Sequence, residues 1–218
     1  MKTAMLLAAG RGERLRPLTD HYPKALCKLY DKPLIDHHLQ HLAAAGFQRV
    51  IINHAYLGGH IRRFVQQNGN HGLDIIFSPE PPGGLETGGG IVNVLEVLGP
   101  KPFVTINSDI YCDYDLSKLK LPKESLAHIV LVNKPSYRQI GDYGLQANGL
   151  VTNEDKQFIF SGINIFHPDF FKQAVRGRYS LTPMMRHFTD LKQITGEMYP
   201  GVWFDIGTPE QLKLAKHK

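Results

Sequence analysis

The chain has 218 residues, 42% hydrophobic and 21% charged, enough to bury a full core as one α/β domain and incompatible with an intrinsically disordered chain. Its net charge of +5 arises from dispersed lysines and arginines without a polybasic tail or recognition-helix motif, so anionic small molecules are expected as partners and nucleic acid is not. Cys27 and Cys112 have no paired spacing, which argues against a disulfide framework or a zinc ribbon; with no signal-peptide pattern and no apolar run near the ~18 residues of a membrane span, a cytoplasmic protein without membrane contact is expected.

Residues 4–8 form a short apolar run suited to a buried parallel strand. Leu34, Ile35, His38, Leu39, Leu42 and Ala45 then recur at helical spacing until Gly46. Strands are expected at 47–52, 73–77 and 103–106, and helices at 56–67, closed by Gly69, and 87–98. This alternation predicts an α/β fold: a mostly parallel, Rossmann-like sheet with right-handed crossovers and helices on both faces. Further on, 129–132, 143–146 and 158–166 read as strands, with Asn148-Gly149 as a hairpin signal, and predict a smaller strand-rich lobe laid over the sheet. Helices near 169–175 and 181–190, a strand near 194–199 and a helix starting at Pro209, capped by Thr208, complete the order. No repeat or linker interrupts the chain, so residues 1–218 are read as one domain.

The first strand runs into Ala9-Gly10-Arg11-Gly12-Glu13-Arg14-Leu15-Arg16-Pro17, with Pro23-Lys24 soon after. Glycines let backbone N–H groups approach an anion, and the clustered cations can neutralise it, which points to phosphate binding. A dinucleotide fingerprint would need a glycine at Leu15 and an acidic residue at Asn53, and a Walker loop would need a Gly-Lys-Ser/Thr run that is absent. A second cluster, Gly83-Gly84-Leu85-Glu86-Thr87-Gly88-Gly89-Gly90, precedes a helix where open backbone could meet a base and ribose. Asp109 follows an apolar strand and Asp205 stands among apolar residues; two carboxylates so placed suggest a divalent cation site of the kind Mg²⁺ fills together with phosphate oxygens and water. His37 and His41 lie one helical turn apart without a third ligand, so they are expected as surface histidines of an amphipathic helix.

Gly10, Gly12, Arg14, Leu15, Pro17, Leu18 and Thr19, followed by Pro23-Lys24, resemble the signature of the sugar nucleotidyltransferases, or NDP-sugar pyrophosphorylases; Glu13 stands where that pattern usually has Thr. Leu85, Thr87 and Gly89 match the family's second glycine loop, with Glu86 replacing a glycine, and Trp203, Asp205, Gly207 and Thr208 match its Trp-x-Asp-x-Gly-Thr pattern. Gly141-Asp142-Tyr143-Gly144 and Phe160-Ser161-Gly162-Ile163-Asn164 resemble segments that line the sugar pocket, and Glu154 stands nearest to the family's Glu-Lys-Pro motif, itself absent.

The resemblance implies in-line transfer of a nucleotidyl group from a nucleoside triphosphate to a sugar 1-phosphate, with pyrophosphate leaving. It assigns Arg14 to the β,γ-phosphates and Lys24 to the α-phosphate as catalytic cations, with Arg11 and Arg16 in electrostatic support. Ala9, Gly10, Arg11, Gly12, Lys24, Gly84, Glu86, Thr87 and Gly88 are expected around the nucleotide, and Asn107, Asp142, Gly144, Glu154 and Gly162 around the sugar. Asp109 and Asp205 are expected to hold Mg²⁺. Within the family, Asn53-His54-Ala55-Tyr56-Leu57-Gly58, Leu85-Glu86-Thr87-Gly88-Gly89-Gly90 and Trp203-Phe204-Asp205-Ile206-Gly207-Thr208 look most like the branch that joins UTP to N-acetylmuramate 1-phosphate in peptidoglycan recycling, with mannose-1-phosphate guanylyl transfer as the rival. A non-catalytic nucleotide-sensing relative would be expected to lose Arg14, Lys24 or an aspartate, and all four residues are present. A monomer or small homo-oligomer is expected.

Overall fold

The computed structural model describes residues 2–216. β1 (Thr3–Leu7) leads into the glycine turn; a short hairpin of β2 (Lys28–Leu29) and β3 (Lys32–Pro33) precedes α1 (Leu34–Ala44), after which Gly46 turns the chain at φ 76°. β4 (Arg49–His54), α2 (Gly58–Asn68) and β5 (Asp74–Pro79) continue the alternation. The helix expected over 87–98 is divided at Val94 into α3 (Glu86–Asn93) and α4 (Leu95–Leu98). β6 (Phe103–Asn107), β7 (Ile110–Cys112) and β8 (Ala127–Asn133) follow, then β9 (Gly144–Leu145) and β10 (Val151–Thr152), joined by the hairpin at Asn148-Gly149. β11 (Phe158–Phe166), α5 (Thr182–Asp190), β12 (Ile194–Tyr199), β13 (Trp203–Asp205) and α6 (Pro209–Lys216) end the described chain, and the Gln211 N–H donates to the Thr208 Oγ1 at 3.3 Å in the expected cap. Residues 169–175 form only a 3-10 turn over Pro168–Phe171, because His167 caps Asp169 while consecutive Phe170 and Phe171 both turn inward against Phe166.

Seven strands form one sheet in the order β12-β8-β11-β6-β1-β4-β5; β11 is antiparallel to both neighbours and every other pair is parallel. The strand-rich second half thus contributes β8, β11 and β12 to the central sheet, and its smaller additions are the β9–β10 and β13–β7 pairs. Alternation explains why the sheet is covered on both sides. Ala4, Leu6, Val50, Ile52, Val104 and Ile106 point into a core with Ile35, Leu39 and Leu42 of α1 and Ile61 and Val65 of α2, whereas Met5, Ile51 and Phe103 point into another with Ile91, Leu98, Phe166, Phe170 and Met185.

Strand register delivers the functional segments to one edge. Leu7 pairs with Asn53 of β4 and with Asn107 of β6, so the chain leaves all three strands at the same level, the carboxyl edge where open α/β sheets bind ligands. A third, small core of Leu15, Cys27, Leu29 and Leu34 with Ile206, Leu212 and Ala215 fastens the end of the chain to the glycine turn. Among the described residues no helix is long and apolar enough to cross a membrane.

Candidate active site

Gly12 has φ 70°, and a Cβ there would lie 3.0 Å from the Thr19 Cγ2 and 3.1 Å from the Lys24 Cβ, so any larger residue at this point would be both strained and crowded. The Thr19 hydroxyl and the Leu15 N–H both donate to the Gly12 carbonyl, at 2.7 and 2.9 Å. Leu15 is driven into the third core, which leaves the flanking Arg14 and Arg16 exposed. Ala9, Gly10 and Arg11 line a cavity of about 940 Å³, and Gly84, Glu86 and Thr87 of the second glycine loop form another part of its wall. Gly12 stands behind this surface against Lys24, and Arg16 pairs with Asp20 at 3.1 Å outside the cavity.

Two buried polar side chains tie the glycine loops together. The Ala8 N–H donates to the Asn53 Oδ1 at 2.8 Å, the Asn53 Nδ2 donates to the Glu80 Oε1 at 2.6 Å, and the Leu85 N–H donates to the Glu80 Oε2 at 2.7 Å. Gly90 leaves the room: a Cβ there would come within 2.6 Å of Glu80 and 2.9 Å of Asn53. Neither role was legible in the sequence, where Asn53 excludes a dinucleotide fingerprint and opens a segment of family resemblance, although a carboxylate just before a glycine run, at Glu80, was an available signal.

The acidic centre is assembled by β7 and β13, whose antiparallel register places Asp205 opposite Ile110, with the Ile206 N–H donating to the Asp109 carbonyl at 2.9 Å. Lys24, only 9% exposed, meets the Asp109 Oδ2 at 2.5 Å. Burial and the Asp109 charge raise the Asp205 carboxyl above its ordinary pKa, against the opposing pull of Lys24, Arg14 and a hydrogen bond to Gln211. A half-buried carboxylate facing another with incomplete compensation fits a divalent cation. Among the described residues no three His, Cys, Asp or Glu side chains cluster as a ligand set.

Arg14 lies over Gly207 and lines a second, smaller cavity of about 250 Å³ beside Asp205, Asp142, Arg138 and Trp203. Asn107 and Asp109 border both cavities, so the two lie side by side just beyond the end of β6. The Asp142 Oδ2 accepts from the Phe160 N–H and its Oδ1 pairs with Arg138, each at 3.1 Å. Gly162, at φ 87° in the irregular register between Phe160 and Asn164, backs Asn107: a Cβ there would be 3.0 Å from the Asn107 Cβ.

Several expected residues lie elsewhere. Glu154 is exposed on the turn after β10 and lines neither cavity, because its backbone carbonyl packs over Gly144, itself enclosed in the hairpin. Gly88 also faces away: its N–H donates to the Tyr179 carbonyl at 3.1 Å, and a Cβ would strike the Tyr179 ring at 2.6 Å. His38, on the apolar stripe of α1, is buried, and burial lowers its pKa to about 4. His37 lies 2.9 Å from the Leu29 carbonyl and stacks edge-on with Tyr111. Arg178, Tyr137 and Arg138 line the cavities without having been singled out, since isolated cations and tyrosines in loops carry no local signal.

A model of the nucleotidyl transferase family matches residues 3–218. The chain is 40% identical to the N-acetylmuramate alpha-1-phosphate uridylyltransferase of Neisseria meningitidis serogroup B, across 98% of this chain and 96% of that protein. It is 32% identical to the enzyme of the same name from Caulobacter vibrioides, across 98% and 95%. The crystal structure of HddC from Yersinia pseudotuberculosis superposes with a TM-score of 0.81 at 22% identity, covering 100% of this chain and 99% of that one, a likeness of fold. From the glycine turn to the Asp205 segment, the chain belongs to the nucleotidyl transferase family.

Proposed function

We propose that this enzyme transfers a uridylyl group from UTP to N-acetylmuramate 1-phosphate, giving UDP-N-acetylmuramate and pyrophosphate for the reuse of cell-wall sugar. The observation that carries this reading is the meeting of two cavities at Asn107 and Asp109, one walled by both glycine loops and the other by polar side chains and Arg14. The near full-length identity to proteins named for this activity supports the choice of substrates.

In this reading the triphosphate occupies the larger cavity, with Ala9, Gly10 and Arg11 at its phosphates and Gly84, Glu86 and Thr87 toward its base. The sugar 1-phosphate occupies the smaller one. A phosphate oxygen of the sugar attacks the α-phosphorus in line as the bond to the pyrophosphate oxygen breaks, so no proton transfer from a protein group is required. The work of the side chains is positioning and charge neutralisation. Lys24 serves the α-phosphate beside Asp109; Arg14, across from Asp205, neutralises charge where the cavities join. Asp109 and Asp205 would hold Mg²⁺, which when bound supplies charge compensation to the phosphate oxygens. Pyrophosphate release measured across UTP, dTTP, GTP and CTP, each with N-acetylmuramate, N-acetylglucosamine and mannose 1-phosphates, tests the reading. Preference for UTP and N-acetylmuramate 1-phosphate is expected; preference for GTP and mannose 1-phosphate would replace it.

A further inference from the structure

We infer that Arg138 is the specificity-determining residue of the smaller cavity, taking the carboxylate of the lactyl group of the sugar substrate in a forked, charge-assisted contact. This rests on the N-acetylmuramate 1-phosphate reading above and goes beyond it by naming the group that distinguishes that substrate from its neutral-substituent analogue. N-acetylmuramate differs from N-acetylglucosamine by one ether-linked carboxylate, so a discriminating site needs a cation that the phosphate chemistry does not use.

The lining residues of the smaller cavity include two cations, Arg14 and Arg138. Arg14 packs over Gly207 and acts on the charge of Asp205, one of the two carboxylates expected to hold the metal. Arg138 belongs to the loop between β8 and β9, whose backbone is fixed locally: its N–H donates to the Pro135 carbonyl at 3.0 Å, and its carbonyl accepts from the Lys134 Nζ at 2.9 Å. One amino group, Nη2, meets the Asp142 Oδ1 at 3.1 Å. Asp142 is itself held by the Phe160 N–H, so it serves as a fixed post against which the guanidinium is oriented. A guanidinium carries five donors, and a single contact to Asp142 leaves enough of them to grip a second carboxylate with the geometry Arg favours. The Arg138 side chain is 49% exposed, so it can reach an incoming ligand without a buried charge being uncovered. That exposure also sets the scale: a substrate lacking the carboxylate leaves Arg138 solvated and paired, and discrimination should be about ten- to a hundredfold, not the far larger factor of a sealed site.

The test uses the full chain with UTP and Mg²⁺ and compares specificity constants for N-acetylmuramate 1-phosphate and N-acetylglucosamine 1-phosphate, with melting curves as the check on folding. Wild type should favour the muramate by about tenfold or more. Arg138→Met keeps the stem but removes the fork, and should shrink that ratio about tenfold, chiefly through KM for the muramate; Arg138→Lys should lie between, because it restores charge without the fork. Arg14→Met should lower both sugars together. If the wild type shows no preference for the muramate, the functional reading fails and takes this inference with it. If the wild type prefers it but Arg138→Met keeps the ratio within about threefold of wild type, or loses both sugars equally, the Arg138 assignment is overturned while the function stands.

Discussion

The Asn53 side-chain amide donates to the Glu80 carboxylate at 2.6 Å, and through that contact the backbone at Ala8 and the backbone at Leu85 share one hydrogen-bonded chain. The orientation of the amide is dictated by its neighbours: Ala8 presents an N–H and needs the oxygen, while Glu80 needs the nitrogen. The two glycine loops therefore stand in fixed relation although 77 positions separate Ala8 from Leu85.

Glu80→Gln should disturb this relation without changing side-chain size. A glutamine can accept from Asn53 or from Leu85 but not from both, so one buried donor loses its partner, at about 1–3 kcal/mol. We expect a lower midpoint in chemical denaturation together with a raised KM for UTP and little change in KM for the sugar phosphate. Equal effects on the two substrates would show that the tie does not act on the triphosphate loops.

Lys24 and Asp109 give a sharper test. Lys24→Met leaves Asp109 and Asp205 without the buried ammonium and, in the proposed reading, removes a cation from the α-phosphate. The specificity constant for UTP should fall by a factor on the order of 10²–10³. A folded variant retaining activity within about threefold of wild type would exclude a role for Lys24 in transfer.

What could be read beforehand and what could not follow from distance along the chain. β1 and its glycine turn are local patterns: an apolar run, then residues that only glycine and closely spaced cations explain. α1 was legible by periodicity, and His38, on its apolar stripe, is buried for the same reason. Asp109 and Asp205 could be named from their motifs, whereas their meeting depends on the β7–β13 register, which no local pattern encodes. Glu80 and Arg138 gain their meaning only from partners on other elements. Glu154 and Gly88 were carried by position in a motif, and packing against Gly144 and Tyr179 turns them from the cavities.

Asp205 offers a prediction in which stability and activity move in opposite directions. Its folded pKa is raised, so the neutral form is favoured by the fold and the ionised form is penalised. The favourable contribution is present below the unfolded carboxylate value and is lost as pH rises through the folded one. Asp205→Asn removes the penalised charge and should therefore melt at a higher temperature than wild type at neutral pH without added metal, with the difference shrinking toward acid pH. Turnover with Mg²⁺ should fall on the order of 10²–10³. A variant that melts lower at pH 7 than wild type would contradict the electrostatic account of this site.

Glu86 holds φ at 60°, a left-handed conformation that costs an L-residue roughly 1–2 kcal/mol, at the entrance to α3 and on the wall of the larger cavity. Its carboxylate approaches Arg178 at 3.4 Å, both side chains being substantially exposed, so the ion pair itself contributes little. Glu86→Gly relieves the strain but returns about 0.4–1 kcal/mol through the freer unfolded chain and gives up a favourable charge of about 0.3–1 kcal/mol at the helix N-terminus. These terms nearly cancel, and the variant should keep its stability within about 1 kcal/mol of wild type. A change in nucleotide use would then report on recognition and not on folding. The proposed reading puts Glu86 toward the base, so KM for UTP should rise by about threefold or more and the preference for UTP over GTP should narrow. Unaltered KM values for both triphosphates would remove Glu86 from the base site and leave its strained backbone as a packing feature of the α3 entrance.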